Sequence, residues 1–356
     1  MKKKMLAVLL AGVMVLSMTA CGGSDSADTG ETTGTETGTE TTADASDIRI
    51  GLITDVGGVN DGSFNQSSWE GLQRAEADFG VTVNYLESST DADYAPNIET
   101  FVDEEYDLII SVGYMLADAT RSAAEANPDM KFAIIDDATI DLPNVTCLMF
   151  KQEQGSYLVG YVAGLMTQTN KIGFVQGMSN ENMNQFGYGY CAGAIDANPE
   201  IEVLQYNANS FSEPATGKSL ANTAITNGAD IVFHAAGGTG LGVIDACQEN
   251  GVYAIGVDRD QASDAPGTVL TSAMKRVDNA VYDAVQSVVN GTLESGIQTY
   301  DLAKGGVDIA PTTDLLTDDV IAAVEEVKEQ IISGEIVVPN DQASFEEKYG
   351  DVYQLD

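Results

Sequence analysis

The sequence predicts an α/β protein of two similar doubly wound parallel-sheet lobes joined by a hinge. Three observations carry that expectation. Short β-rich runs alternate with helical stretches from Ile48 onward, the same order of runs returns in the second half, and landmark residues recur at matching separations. Alternation of this kind means βαβ units on a parallel sheet. A returning order of aromatics and acids in the loops goes beyond what apolar alternation alone preserves.

In the first half the strand candidates are IRIGLIT, VTVNYLES, DLIISVG and KFAIID, with helices over 64–79, 94–104 and 115–127 between them. The strand-like VTCLMF and the helical QEQGSYLVGYVAGLMTQT follow. Then KIGFVQG, IEVLQYN, DIVFHAAG and VYAIGVD appear at similar spacing, so that KIGFVQG answers IRIGLIT, DIVFHAAG answers DLIISVG and YAIGVD answers FAIIDD. Gly51 precedes Phe64 by the same offset as Gly173 precedes Phe186. The stretch from Phe64 to Asp137 is longer than that from Phe186 to Asp258 by a single position. Beyond Asp258, TVLTSAMKRVDNAVYDAVQSVVNG reads as a strand and an amphipathic helix, and YDLAKGGVDIAP as another extended crossing. A helix over 318–332 and a polar tail end the chain. The first lobe is expected to comprise 48–150 plus about 260–300, the second 151–259 plus about 301–356. Several crossings between them make a hinge.

The N-terminus, MKKKMLAVLLAGVMVLSMTACGG, has three lysines, an apolar run and small residues leading into Cys21. This is the pattern of a secretory signal (1–20) with a lipobox-like end, although Met18 stands where such boxes usually carry Leu. Lipidation of Cys21 would then anchor the chain to the cell membrane, facing out of the cytoplasm. The polar stretch within 21–47 cannot bury enough apolar surface to order itself and reads as a tether.

A net charge of −39 makes nucleic acid and anionic lipid surfaces poor partners and disfavours phosphorylated ligands. Cys147, Cys191 and Cys247 lie in apolar or helical contexts and read as buried thiols; with His234 as the one histidine, no metal or cofactor is expected. GGTGLG (237–242) lacks the Lys-Ser/Thr of a phosphate loop and reads as a tight turn or a close backbone approach to a ligand.

Ligands of open α/β sheets bind beyond the carboxyl ends of the strands, where Phe64, Asp137, Phe186 and Asp258 all fall. Two lobes facing across a cleft would bring these positions onto one ligand. The segments DVGGVNDGSFNQSSWEGL, EQGSYLVGYVAGLMTQTNKIGFVQG, AAGGTGLGV and GVDRDQ resemble the basic membrane protein family of substrate-binding lipoproteins, whose best-understood members are purine nucleoside receptors of ABC transporters. The resemblance spans Ile48 to about Pro311. It implies a type I periplasmic-binding-protein fold that closes on a nucleoside and delivers it, as a monomer, to an ABC permease. It also implies that Phe64 and a second aromatic, Phe186 or its rival Phe233, sandwich the base. By the same resemblance Asp258 and Lys275 contact the ribose, and Asp55 and Asp137 reach the ligand from the first lobe. Asn65 of the SFNQ segment and Gly238 of the glycine run complete the candidate ligand set.

These residue types suit the task. Aromatic faces stack on a base for about 1–3 kcal/mol, and an ionised carboxylate accepts from adjacent ribose hydroxyls. Asp61 reads as structural and Ser63 as the helix N-cap. Other readings remain open on the sequence: a sugar-binding or nucleoside-sensing lipoprotein of the same fold, and a calcium-dependent nucleoside hydrolase, to whose acidic loop TDVGGVND is similar.

Overall fold

The computed structural model describes residues 45–355. The signal segment, Cys21 and the tether as far as residue 44 lie outside the described residues.

Two six-stranded sheets share one strand order. In the first, β2 (Thr82–Leu86), β1 (Arg49–Ile53), β3 (Leu108–Ser111), β4 (Lys131–Ile135), β5 (Val145–Phe150) and β11 (Gly296–Tyr300) lie side by side, all parallel. In the second the order is β7 (Glu202–Asn207), β6 (Lys171–Gln176), β8 (Ile231–Ala235), β9 (Tyr253–Asp258), β10 (Val269–Lys275) and β12 (Val307–Ile309). Of these, only β12 runs antiparallel to its neighbour. The central strands are continuous apolar runs because both faces are covered. In the first lobe α1 (Phe64–Phe79) and α8 (Val277–Val289) cover one face, α2 (Tyr94–Asp103) and α3 (Ala117–Ala126) the other. In the second, α4 (Gln152–Met166) and α5 (Glu181–Ala197) lie opposite α6 (Pro214–Thr226) and α7 (Gly237–Asn250).

The segment EQGSYLVGYVAG acquires a packing reason. A Cβ at Gly160 would overlap the Tyr190 carbonyl on α5, and one at Gly193 would overlap the Tyr157 carbonyl on α4. Glycine is what lets the two backbones touch. Cys147, Cys191 and Cys247 are buried free thiols, as their apolar contexts predict.

Two features differ from expectation. Strand β10 falls within 260–300, expected in the first lobe, but pairs in parallel with β9 in the second sheet; the chain crosses only afterwards, at Arg276. The C-terminal tail is not merely polar. After α9 (Asp318–Ser333), α10 (Gln342–Tyr349) buries Phe345, and Tyr353 is buried with its hydroxyl donating to Gln176 Oε1 (2.7 Å). Both anchor the tail to the second lobe.

Among the described residues three crossings join the lobes, at Lys151, at Arg276 and over 301–306. Lys151 has φ −97 and ψ 66. Arg276, with φ −78 and ψ 58, adopts nearly the same conformation. Both resemble the inverse γ-turn. Each ties to the third crossing: Lys151 N–H donates to the Tyr300 carbonyl (3.0 Å), and Arg276 N–H to the Gly306 carbonyl (2.9 Å). The hinge is a hydrogen-bonded trio of strands.

Candidate functional site

The carboxyl ends of the two sheets face a common cavity, lined from both lobes. Its first-lobe wall is the loop between β1 and α1. Asp61 organises that loop: one oxygen accepts from the N–H groups of Ser63 (2.9 Å) and Gln66 (3.0 Å), the other from the N–H (2.9 Å) and side-chain amide (3.0 Å) of Asn65. Asp61 therefore caps α1, in place of Ser63, whose hydroxyl makes no cap bond. Asp55 Oδ1 accepts from Gly57 N–H (2.9 Å) and from the Asn65 amide (2.7 Å). Both amide hydrogens of Asn65 are thus spent on carboxylates, and its Oδ1 is buried with no protein partner. Phe64, the first residue of α1, lays its ring along the cavity beside Gly113.

The second-lobe wall is built from strand ends and α5. Asp258 ends β9, Lys275 ends β10, and Met183 and Phe186 project from α5. Phe211, on the loop after β7, packs its ring against Gly177 and Gly237.

Polar side-chain contacts cross the cleft. Ser63 Oγ donates to Asp258, and the Lys275 ammonium pairs with Asp136, which follows β4 of the first lobe. Lys275 Nζ lies 4.8 Å from the ring centroid of Phe64, 5.1 Å from that of Phe150 and 5.7 Å from that of Phe186. All three rings are within cation–π range. The second oxygen of Asp136, Oδ1, is buried without a protein partner. Asp136 and Asp258 both take the left-handed backbone conformation, with φ 65 and φ 66. That conformation is uncommon outside glycine and concentrates at functional sites.

Burial dominates the electrostatics. It pushes the Asp258 carboxyl up to about 7, against the Lys275 charge and the Ser63 hydrogen bond, and Asp55 up to about 6, against the Gly57 and Asn65 donors. Asp61 is raised by burial as well, opposed by its four hydrogen bonds. The unspent polar atoms, Asn65 Oδ1 and Asp136 Oδ1, are acceptors. The site suits a ligand that presents flat faces and hydrogen-bond donors.

Of the residues expected from sequence, Asp55, Phe64, Asn65, Phe186, Asp258 and Lys275 line the cavity. Three do not. Asp137 turns its carboxylate onto Thr139, accepting from the backbone N–H (2.9 Å) and Oγ1 (2.8 Å); the cavity position belongs to Asp136. Gly237, in the left-handed conformation, lines the cavity instead of Gly238. Phe233 is fully buried between Phe174 and Tyr190, in the core of the second lobe.

Sequence reasoning missed Asp136, Tyr114, Met115, Met183 and Phe211. Asp136 had a signal: its separation from Phe64 equals that of Asp258 from Phe186. Phe211 could have been found as a loop aromatic beyond a strand's carboxyl end, the rule that singles out Phe64.

Residues 48–342 match the family model described as ABC transporter substrate-binding protein PnrA-like. The chain is 38% identical to the CD4+ T-cell-stimulating antigen of Listeria innocua, over 95% of this chain and 99% of that protein. It is 36% identical to the ABC transporter nucleoside-binding protein BmpA of Lactococcus lactis, over 96% and 100%. Among solved structures, an ABC transporter solute-binding protein from Aeropyrum pernix K1 superposes with a TM-score of 0.78 at 28% identity, covering 86% of this chain and 98% of that one.

Proposed function

The chain belongs to the PnrA-like family of ABC transporter substrate-binding proteins, and from that premise we propose that it binds a purine nucleoside between its two lobes. The family is one of binding proteins, not enzymes, and the hydrolase alternative is set aside on that membership. The observation that carries the nucleoside reading is the pairing in one cavity of aromatic rings and strand-end carboxylates from both lobes. In this reading Phe64 stacks on one face of the base, and Phe186 and Phe211 bound the other side. Each stacked ring contributes about 1–3 kcal/mol. Asp258 and Lys275 hold the ribose hydroxyls, and Asp55, Asn65 and Asp136 accept from ligand donors. Gly237 replaces Gly238 as the close backbone approach.

The relative from Lactococcus lactis, named as nucleoside-binding over essentially the whole length, supports this assignment. The acceptor-rich wall supports a nucleoside over a nucleotide, because a phosphate would meet buried carboxylates, with Lys275 already paired to one of them. The same reading has Cys21 lipidated, the lobes tethered outside the cell membrane as a monomer, and the ligand passed to an ABC permease.

Isothermal titration against adenosine, guanosine, inosine, cytidine, uridine and a panel of monosaccharides tests the ligand class. The expected result is micromolar or tighter binding of purine nucleosides. Silence with every nucleoside, alongside binding of a monosaccharide, overturns it.

A further inference from the structure

GVDRDQ contributes Asp258 to the cavity, yet its last residue, Gln261, does not line it. Gln261 is fully buried and its amide is committed at both ends. Oε1 accepts from Val257 N–H (2.9 Å) and faces His234 Nε2 (3.0 Å), while Nε2 donates across the cleft to the Gly62 carbonyl (3.0 Å). The main chain is fixed as well, Gln261 N–H donating to Ser272 Oγ (3.1 Å). Because Oε1 accepts from the Val257 backbone and Nε2 faces a carbonyl, the amide orientation is determined. His234 must then carry its proton on Nε2. Its bare Nδ1 lies against Gly240, where a Cβ would overlap the ring. Burial holds the imidazole neutral, with its pKa lowered to about 4.

The second lobe therefore presents one rigid donor whose partner lies in the first. Gly62 adjoins Ser63, which donates to Asp258, so two neighbouring residues of the β1–α1 loop are held by two residues of GVDRDQ. Separating the lobes would strand Gln261 Nε2 while leaving its Oε1 bonds intact. A group with a partner in only one of two arrangements shifts the equilibrium between them.

We propose that Gln261, backed by His234, is a positioning residue that sets how firmly the lobes hold together around a ligand, through the Gly62 carbonyl and without touching the ligand. The nucleoside reading enters only through the choice of ligand for the test. Gln261→Met removes both donor and acceptor; Gln261→Glu, which burial keeps protonated, still donates to the Gly62 carbonyl while its other oxygen accepts from Val257, and serves as the conservative variant. Spin labels on Asp103→Cys and Glu200→Cys, exposed positions on opposite lobes, report the interlobe distance in a chain carrying Cys21→Ser, since Cys147, Cys191 and Cys247 are buried.

With saturating guanosine or adenosine, the Met variant, unlike the Glu variant, should lose short-distance population and release ligand about tenfold faster, the scale of one lost buried hydrogen bond. Unchanged distances and release rates overturn the proposal, as does a lowered melting temperature with distances unmoved, which is what purely structural packing produces. If the wild type binds no nucleoside, the nucleoside reading fails separately. The distance distribution alone then decides: fewer short distances in the Met variant support the latch, and an unchanged distribution there overturns it.

Discussion

In the first lobe Phe64 opens α1 after a loop of acids and glycines; in the second, Phe186 lies more than a turn inside α5 after a short link. The half-buried Phe64 faces the cavity, whereas Phe186 is 3% exposed and belongs to the apolar core as well. The strand-end acids keep the same left-handed backbone in both lobes but take different partners, Lys275 for Asp136 and Ser63 for Asp258. The repeat preserves where a ligand is met. The loops decide what meets it, because a strand's register is set by its neighbours while a loop is free to change length.

The largest expected effect comes from removing the cation that pairs across the cleft inside the cavity. Lys275→Met strands Asp136 without a counter-charge in a site that already buries Asp55, Asp61 and Asp258. Breaking a buried pair from one side costs about 3–5 kcal/mol. Titration should show nucleoside affinity reduced at least about a hundredfold; a loss under tenfold would mean that the two lobes are not joined electrostatically here.

Next come the two rings. Phe64→Ala should weaken nucleoside binding by about 1–3 kcal/mol, the worth of one stacked face, with little change in melting temperature. Phe186→Ala should lower both, because truncating a core phenylalanine costs about 3–5 kcal/mol of stability. Matched losses of binding and stability in both variants would erase the distinction between a ring that faces the cavity and one shared with the core.

Much of this was legible in the sequence. Parallel strands buried on both faces are unbroken apolar runs, so IRIGLIT and its counterpart KIGFVQG declared themselves, and the shared glycine-to-phenylalanine offset led to both rings. The lobe boundary near β10 was not legible. TVLTSAMK has the same character in either sheet, and only its pairing with β9 assigns it. Nor could the pattern choose between Asp136 and Asp137, adjacent residues at a strand end whose roles are settled by a left-handed turn and by Thr139. Gln261 carried no periodicity at all; its partners come from β8, the end of β9, β10 and the opposite lobe.

The smallest effect sharpens the comparison electrostatically. Burial raises Asp258 and Glu153 of the second lobe to about 7 but Asp55 of the first to about 6, from ordinary values of 3.8, 4.5 and 3.8. A carboxyl raised by folding adds stability that is fully present below its unfolded pKa and lost as pH climbs through the folded one. Taking the protein from pH 8 to 6.5 therefore returns part of that stability, about 1–2 kcal/mol, and nearly all of it comes from the second lobe. His234, lowered to about 4 from 6.5, has the opposite sign: its contribution is present above 6.5 and drains as pH falls toward 4, so the gain should bend over below 6.5. Scanning calorimetry should find the melting temperature a few degrees higher at pH 6.5 than at pH 8. Asp258→Asn should remove about half of that rise and Asp55→Asn very little of it. Equal flattening by the two variants would show that the acids share one environment, and the lobes would then differ in their loops but not in how they charge the cavity.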